Sequence, residues 1–107
     1  MAPPHKEYKE VTMAAAQFFA SEALTVSSTS VGFTAATFAG ADYAHVYVDI
    51  ADVRFRVDGG TASTTNGVPV AVHDEIILES VEEVARFRAI RDGGTDATLF
   101  AQFGKRT

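Results

Sequence analysis

The sequence contains no cysteine and no tryptophan among its 107 residues. Without cysteine the chain can form neither disulfides nor thiolate metal sites, so its stability must come from packing within one modest core. No apolar run is long enough for a membrane-spanning helix, and the first residues lack the apolar core of a signal peptide. We therefore expect one domain that is made and used in soluble form.

Basic residues are also scarce: nine Lys and Arg stand against fourteen Asp and Glu, and the net charge is -5. This balance argues against a general nucleic-acid binder, which needs clustered cations to displace phosphate counterions. No Lys or Arg occurs between Lys9 and Arg54. An acidic run comprises Asp74, Glu75, Glu79, Glu82 and Glu83. It is either a solvated face or a docking patch for a basic partner.

Sequence motifs for catalysis are missing: there is no nucleophile elbow, no phosphate-binding loop and no dinucleotide fingerprint. The histidines at positions 5, 45 and 73 are too scattered to predict a zinc site, and His45 is expected on an exposed strand face. A carboxylate pair for glycoside hydrolysis is a spatial feature that sequence leaves open. We expect no enzyme, no catalytic residue, no cofactor and no metal.

Alternating apolar and polar residues give the clearest structural signal. In residues 43–50 the apolar positions are Ala44, Val46, Val48 and Ile50. A period of two predicts a half-buried strand. Residues 53–58 alternate in the same way after a tight connection, so we expect these two strands to form a hairpin. Residues 97–103 predict the last strand.

Other segments complete an all-β pattern. Short strands are expected at 24–26, 31–33, 76–78 and 86–91, and residues 59–67 predict a loop. Residues 68–72 contain Pro69, which is typical of an edge segment because proline cannot donate to a ladder. Seven or eight short strands with turns between them predict a small antiparallel β-sandwich or jelly-roll-like domain.

The N-terminal residues differ from the rest in composition. Residues 1–10 hold two prolines, a histidine and four alternating charges, which is typical of an extended arm that orders on a partner. Residues 11–19 fit either a helix or a strand, and we favour extended structure. We divide the chain into a partly extended arm, residues 1–22, and a β-sandwich domain, residues 23–107.

Two short runs are nearly identical. Arg54-Phe55-Arg56 precedes Asp58-Gly59-Gly60-Thr61, and Arg86-Phe87-Arg88 precedes Asp92-Gly93-Gly94-Thr95. We interpret each as a strand and a turn that arose by convergence and not by duplication. Asp58, Asp92 and Asp96 fit turns better than a calcium site.

The four arginines of these runs are expected on neighbouring strands. There they could pair with Asp49, Asp52 or the acidic residues 79–83, within one subunit or across an interface.

The order of these motifs resembles small structural proteins of tailed bacteriophage virions. The resemblance rests on residues 51–61, the segment Val72-His73-Asp74-Glu75-Ile76-Ile77-Leu78, and residues 84–99, and it covers roughly residues 24–103. It implies either a capsid decoration (cement) protein or a small head-tail or tail component, made in the cytoplasm of a bacterial host. We favour decoration, because a compact acidic domain with an extended terminus suits the capsid exterior. Under this hypothesis the expected partner is the major capsid protein, and the expected assembly is a homo-oligomer, with a trimer favoured over other cyclic oligomers.

Two other functions stay open: a head-tail adaptor or tail component, and a carbohydrate-binding module in which Tyr8, Tyr43 and Tyr47 stack on sugars. Under the decoration hypothesis we expect an interface that includes Tyr8, Lys9, Phe18, Phe19, Arg54, Arg56, Arg86 and Arg88.

Overall fold

A computed structural model describes residues 16–106, which form seven β-strands and two short helices. The strands are β1 (Ala16–Val26), β2 (Tyr43–Asp49), β3 (Val53–Arg56), β4 (Val68–Val70), β5 (Glu75–Leu78), β6 (Arg88–Arg91) and β7 (Ala97–Arg106). The helices are α1 (Ala35–Phe38) and α2 (Val81–Arg86).

The strands form two antiparallel sheets. One sheet has the order β1-β7-β2-β5, and the other has the order β4-β3-β6. The expected small all-β domain is confirmed, and its two sheets pack in the manner of a sandwich.

The core lies between the sheets and follows from the alternation of β2 and β7. Ala44, Val46 and Val48 are fully buried, and every second residue of β7 from position 97 to 103 is buried as well. Each of these side chains points to one face because successive residues of a strand point to opposite faces. The predicted faces of both strands are therefore confirmed over these residues.

Phenylalanine rings connect the two sheets through this core. Phe87 is completely buried and stacks on Phe33, with ring centres 5.0 Å apart, and on Phe55, at 5.7 Å. Phe33 also meets Phe103 of the four-stranded sheet edge-on at 5.2 Å. These aromatic contacts link β3 and the segment before β6 to β7.

The expected hairpin of β2 and β3 is wrong, because the two strands belong to different sheets. The connection turns sharply at Ile50, which has a φ of 77° and is 60% exposed, while the Ala51 amide donates to the Asp49 carbonyl. This turn carries the chain from one sheet to the other. It also places Ile50 outside the core, in contrast to the expected alternation.

Residues 86–91 do not form one strand. Arg86 is the last residue of α2, and β6 begins at Arg88. The helix begins at Val81, and its N-cap is Ser80, whose hydroxyl accepts a hydrogen bond from the Glu83 amide. Residues 31–33 contribute only a single bridge, between Val31 and Ala89.

The polar connection and the proline edge are as predicted. Residues 59–67 lie in no named strand or helix, and β4 with Pro69 is an edge strand of the three-stranded sheet. In β5 the sequence predicted a buried strand, but only Ile76 and Leu78 are buried, and Ile77 is 40% exposed.

Strand β1 crosses the boundary that the sequence placed between residues 22 and 23. It pairs with β7 from Ala16 to Val26, with a register shift between Phe18 and Ala20. Residues 16–22 therefore belong to the four-stranded sheet. The remainder of the expected arm lies outside the described residues.

Candidate functional site

The outer face of the four-stranded sheet carries exposed aromatic and apolar side chains. We call Phe18, Tyr43, Tyr47, Ile77 and Phe100 the outer aromatic face. The strand register places Phe100 directly beside Tyr47, and Phe18 and Tyr43 flank Gly104. Phe18 and Phe100 are each 47% exposed. The face therefore presents rings to solvent on three neighbouring strands.

Neighbouring side chains hold several of these rings in place. Phe18 and Tyr43 lie 5.9 Å apart between ring centres, and the Arg106 guanidinium lies 4.7 Å above the Tyr43 ring. Tyr47 stacks on His73 at 6.2 Å. Because the rings are packed against partners, they lose little rotamer freedom on binding, which favours association.

A shallow depression of about 400 Å³ lies on the same face, lined by β1, β2 and β7. His45 and Tyr47 border it on one side, and Phe100 and Gln102 border it on another. As expected, His45 is partly exposed on its strand, where its Nε2 lies 3.1 Å from a carboxylate oxygen of Glu75. Rings beside polar groups can recognise a protein or a sugar.

Three of the four arginines, Arg54, Arg56 and Arg88, lie on the outer face of the other sheet, whereas Arg86 ends α2. Arg54 Nε donates to the Asp92 carboxylate at 2.8 Å, and its Nη1 donates to the Gly67 carbonyl at 3.1 Å. Its partners are thus different from the expected Asp49, Asp52 or residues 79–83. The reason is topological: β3 pairs with β6, and Asp92 immediately follows β6.

Arg56 also pairs locally, with Asp58 two residues later. Arg56 Nε donates to Asp58 Oδ1 at 3.0 Å, and the Gly60 amide donates to the same oxygen at 3.0 Å. The Arg56 hydrogen bond is the main cause that lowers the pKa of Asp58 to about 2, and the Gly60 amide adds to it. The same bond raises the pKa of Arg56.

Arg88 lies directly opposite Arg56 in the ladder between β3 and β6. It donates to the backbone carbonyl of Phe87 at 2.6 Å, and its guanidinium approaches Gly32 closely enough to leave no room for a Cβ there. The Arg86 side chain lies beside Gly59. Arg88 thus contacts backbone groups, while the two β3 arginines contact carboxylates.

The acidic run also has local partners. Glu83 accepts from the Glu79 amide at 2.7 Å, and Glu79 accepts from Arg106 Nη2 at 3.0 Å. Glu75 faces His45, as described above. These contacts fit the interpretation of a solvated acidic surface and leave the docking alternative untested.

The turn aspartates have arginine partners as well. Asp58, Asp92 and Asp96 bind Arg56, Arg54 and Arg91 respectively. Within residues 16–106 no group of three or more His, Cys, Asp or Glu side chains could hold a metal ion.

The expected interface is not one contiguous surface. Tyr8 and Lys9 lie outside the described residues. Phe18 and Phe19 are exposed on β1, at 47% and 52%, whereas Arg54, Arg56 and Arg88 lie on the other sheet. The structure therefore separates the expected phenylalanines from the expected arginines.

Sequence reasoning missed Phe100 and Ile77 as surface residues. Phe100 lies between Leu99 and Ala101, both buried, so the alternation of β7 already places its ring on the opposite face. An aromatic residue at a position that the pattern assigns to solvent was the available signal.

Comparison of the chain with protein-family models, curated proteins and solved structures finds no match. Over the described part of the chain, neither helix has the length and apolarity that crossing a membrane would require.

Proposed function

We propose that this chain is a bacteriophage virion structural protein, a capsid decoration (cement) protein that binds the major capsid protein shell. The observation that carries the proposal is the outer aromatic face, which presents rings from three strands on one side of the domain. The motif order described in the sequence analysis supplies the virion context.

The chemistry of this face suits adhesion to a protein surface. Aromatic residues are enriched in protein interfaces, and clustered exposed apolar residues mark interaction sites. Phe18 and Phe100 offer apolar area, whereas Tyr43 and Tyr47 add hydroxyls that can satisfy polar groups of a partner. A face that presents rings from three strands fits a broad partner better than a small molecule.

The mechanism is linkage between binding and shell stability. A protein that binds the assembled shell but not its free subunits stabilises the shell by mass action. A homo-oligomer on the capsid exterior, for which the sequence analysis favoured a trimer, would engage several shell subunits at once. No catalytic step is part of the mechanism.

The test uses shells that lack this protein and the purified chain. We expect the chain to attach and to raise the temperature at which the shells disrupt. Phe100→Ser on the outer aromatic face should weaken attachment. The matched control is Val68→Ser, because Val68 is an exposed apolar residue, at 56%, on the other sheet. Equal attachment of both variants would refute the role of this face, and no attachment of the native chain would refute the function.

A role as head-tail adaptor or tail component is distinguished by copy number. A decoration protein is present in proportion to the capsid subunits, whereas an adaptor forms a single ring. Quantitative mass spectrometry of purified particles would measure the ratio to the major capsid protein.

The depression beside Tyr47 and Phe100 favours one further candidate, carbohydrate binding. Aromatic rings next to His45 and Gln102 provide stacking and hydrogen bonding on one surface. A glycan array would test it. Binding that Tyr47→Ala abolishes would support this function over adhesion to a capsid, and an array without hits would eliminate it.

A further inference from the structure

The four sheet edges of this domain differ in how well they are protected. Strand β4 is three residues long and contains Pro69. Strand β6 is covered by residues 27–31, which follow β1: Val31 and Ala89 exchange two backbone hydrogen bonds, and the Arg91 amide donates to the Ser27 carbonyl. Strand β5 has only four residues. Short strands, prolines and covering segments are the usual means of preventing edge-to-edge pairing.

Strand β1 is neither short nor interrupted by proline, and among residues 16–106 no strand pairs with its outer edge. It is eleven residues long and contains no proline, lysine or arginine. Within residues 16–106, its backbone hydrogen bonds go to β7, and every second residue directs its N–H and C=O away from the sheet. Its one charged residue, Glu22, accepts hydrogen bonds from the amide and hydroxyl of Thr34, so its carboxylate already has partners within the same domain.

The side chains of β1 suit pairing with an identical strand. After the register shift, the regular part of the strand is residues 20–26. On the outer face this part presents Ser21, Ala23 and Thr25, which are small and exposed. On the inner face Ala20 and Leu24 pack against the core and remain only partly buried at the edge.

We propose that two copies of this chain associate through antiparallel pairing of their β1 strands, with the two-fold axis at Ala23. This is the only register in which all of residues 20–26 of one copy pair with residues 20–26 of the other. Ser21 then faces Thr25 of the second copy, a pair that can hydrogen-bond, and Ala23 faces Ala23. Glu22 faces Leu24, so the two carboxylates are not opposed. Centring the axis on Glu22 would oppose them.

The expected contact supplies a number of hydrogen bonds that is typical of protein interfaces. Seven antiparallel residue pairs supply about six to eight backbone hydrogen bonds, within the range of about 10 ± 5 for protein interfaces. The pairing also covers the partly buried Ala20 and Leu24 of both copies. The contact is isologous and therefore closes at two copies. It joins two four-stranded sheets into one of eight strands, with both outer aromatic faces on the same side.

This inference does not depend on the proposed capsid function, and it gives a two-fold assembly in place of the trimer that the sequence analysis favoured. Dimers form or fail to form in the purified protein alone. Failure of dimerisation would leave shell binding untouched, and failure of shell binding would leave the dimer untouched.

Engineered cysteines test the register, because the native chain has none. Residues directly opposite in an antiparallel pair have Cα atoms about 4.5–5.5 Å apart, within the range that a disulfide spans. Ala23→Cys should therefore form a disulfide-linked dimer under mild oxidation. Ser21→Cys and Thr25→Cys should not cross-link alone, but a mixture of the two variants should. The control is Gln102→Cys, because Gln102 is exposed on β7 and not on the edge strand. Its cross-linking gives the level that random collision produces.

Ala23→Lys provides the complementary test, since it places two like charges opposite each other at the axis. Light scattering should show a dimer for the native chain and a monomer for this variant, while circular dichroism confirms that the variant is folded. Gln102→Lys, which adds the same charge away from the edge, should remain dimeric.

Three results would overturn the proposal. They are a monomeric native chain at high concentration, a trimer, or a dimer that Ala23→Cys fails to cross-link. If the native chain is monomeric, hydrogen exchange of the β1 amides shows whether another segment covers this edge. Protected β1 amides in a monomer would mean that the chain's own N-terminal residues cover this edge.

Discussion

Truncation of Phe87 should produce the largest stability loss among single substitutions considered for this fold. Phe87 is fully buried and stacks on Phe33 and Phe55 at 5.0 and 5.7 Å. Burial of one large apolar side chain contributes about 1.5–3 kcal/mol, and each aromatic pair adds about 0.5–1.5 kcal/mol. Phe87→Ala also leaves a cavity between two sheets that cannot collapse freely. We expect a loss of about 3–5 kcal/mol.

That loss is a large fraction of the free energy of unfolding, which is about 5–15 kcal/mol for a domain of this kind. Urea unfolding followed by circular dichroism would measure it, together with a fall in melting temperature of more than about 10 °C. The control is Phe100→Ala, which removes the same side chain from the outer aromatic face. There we expect a loss below about 1 kcal/mol, since the ring is already 47% exposed.

The comparison of these two variants decides whether the phenylalanine chain connects the sheets. A cost below about 1 kcal/mol for Phe87→Ala, with an unchanged slope of free energy against urea, would refute the reasoning. Equal costs for the two variants would mean that the buried Phe87 ring contributes no more to stability than the exposed Phe100 ring.

Three further predictions concern local contacts. Asp58 has a folded-state pKa of about 2, below its ordinary 3.8, so its stabilising contribution is complete above about pH 4 and is lost as the pH falls toward 2. Asp58→Asn should therefore flatten the dependence of the unfolding free energy on pH in that window. Curves of unfolding free energy against pH that run parallel for the variant and the native chain would contradict this. Ser80→Ala should cost about 1 kcal/mol by removing the N-cap of α2, measurable by thermal unfolding, whereas Ser80→Asp should retain most of it. Gly104→Ala should cost about 1–3 kcal/mol in urea unfolding, because the added Cβ would lie 2.8 Å from the Gln17 carbonyl oxygen and would push β1 away from β7. The control is Gly94→Ala, which should be near neutral because a Cβ at position 94 has no neighbouring atom within 4 Å.

The strands and their buried faces could be predicted where alternation was long enough to set the orientation of every side chain. In β7 the pattern from Ala97 to Phe103 assigns the core face residue by residue, and the structure agrees. A period of two fixes which face is buried because a one-residue slip would expose the whole apolar set. This information is local, so it was available from the sequence.

Strand pairing was not predictable in the same way. Residues 43–49 and 53–56 look like the two arms of a hairpin, since both alternate and a short connection joins them. The turn at Ile50, with its φ of 77°, sends the second strand into the other sheet. Alternation gives the face of a strand but not its neighbour, which depends on contacts distant in sequence.

Helix α2 illustrates a competition between two local signals. The sequence Ser80-Val81-Glu82-Glu83 contains the cap and the acidic first turn of a helix. Arg86-Phe87-Arg88 alternates like a strand and resembles the run in β3. In the structure the cap determines the start of a helix that ends at Arg86, and the strand begins only at Arg88. The near-repeat therefore has two different local structures.

The distribution of charge bears on which surface can bind a partner. Arg54 and Arg56 have carboxylate partners in Asp92 and Asp58 within the same domain. A partner that displaced these contacts would have to replace them with equally good ones, so little net binding energy is available there. Burial of exposed rings such as Phe100 requires no such exchange, and it gains free energy in proportion to the apolar area covered. Adhesion through the outer aromatic face is therefore favoured on energetic grounds over adhesion through the arginines that the sequence first indicated.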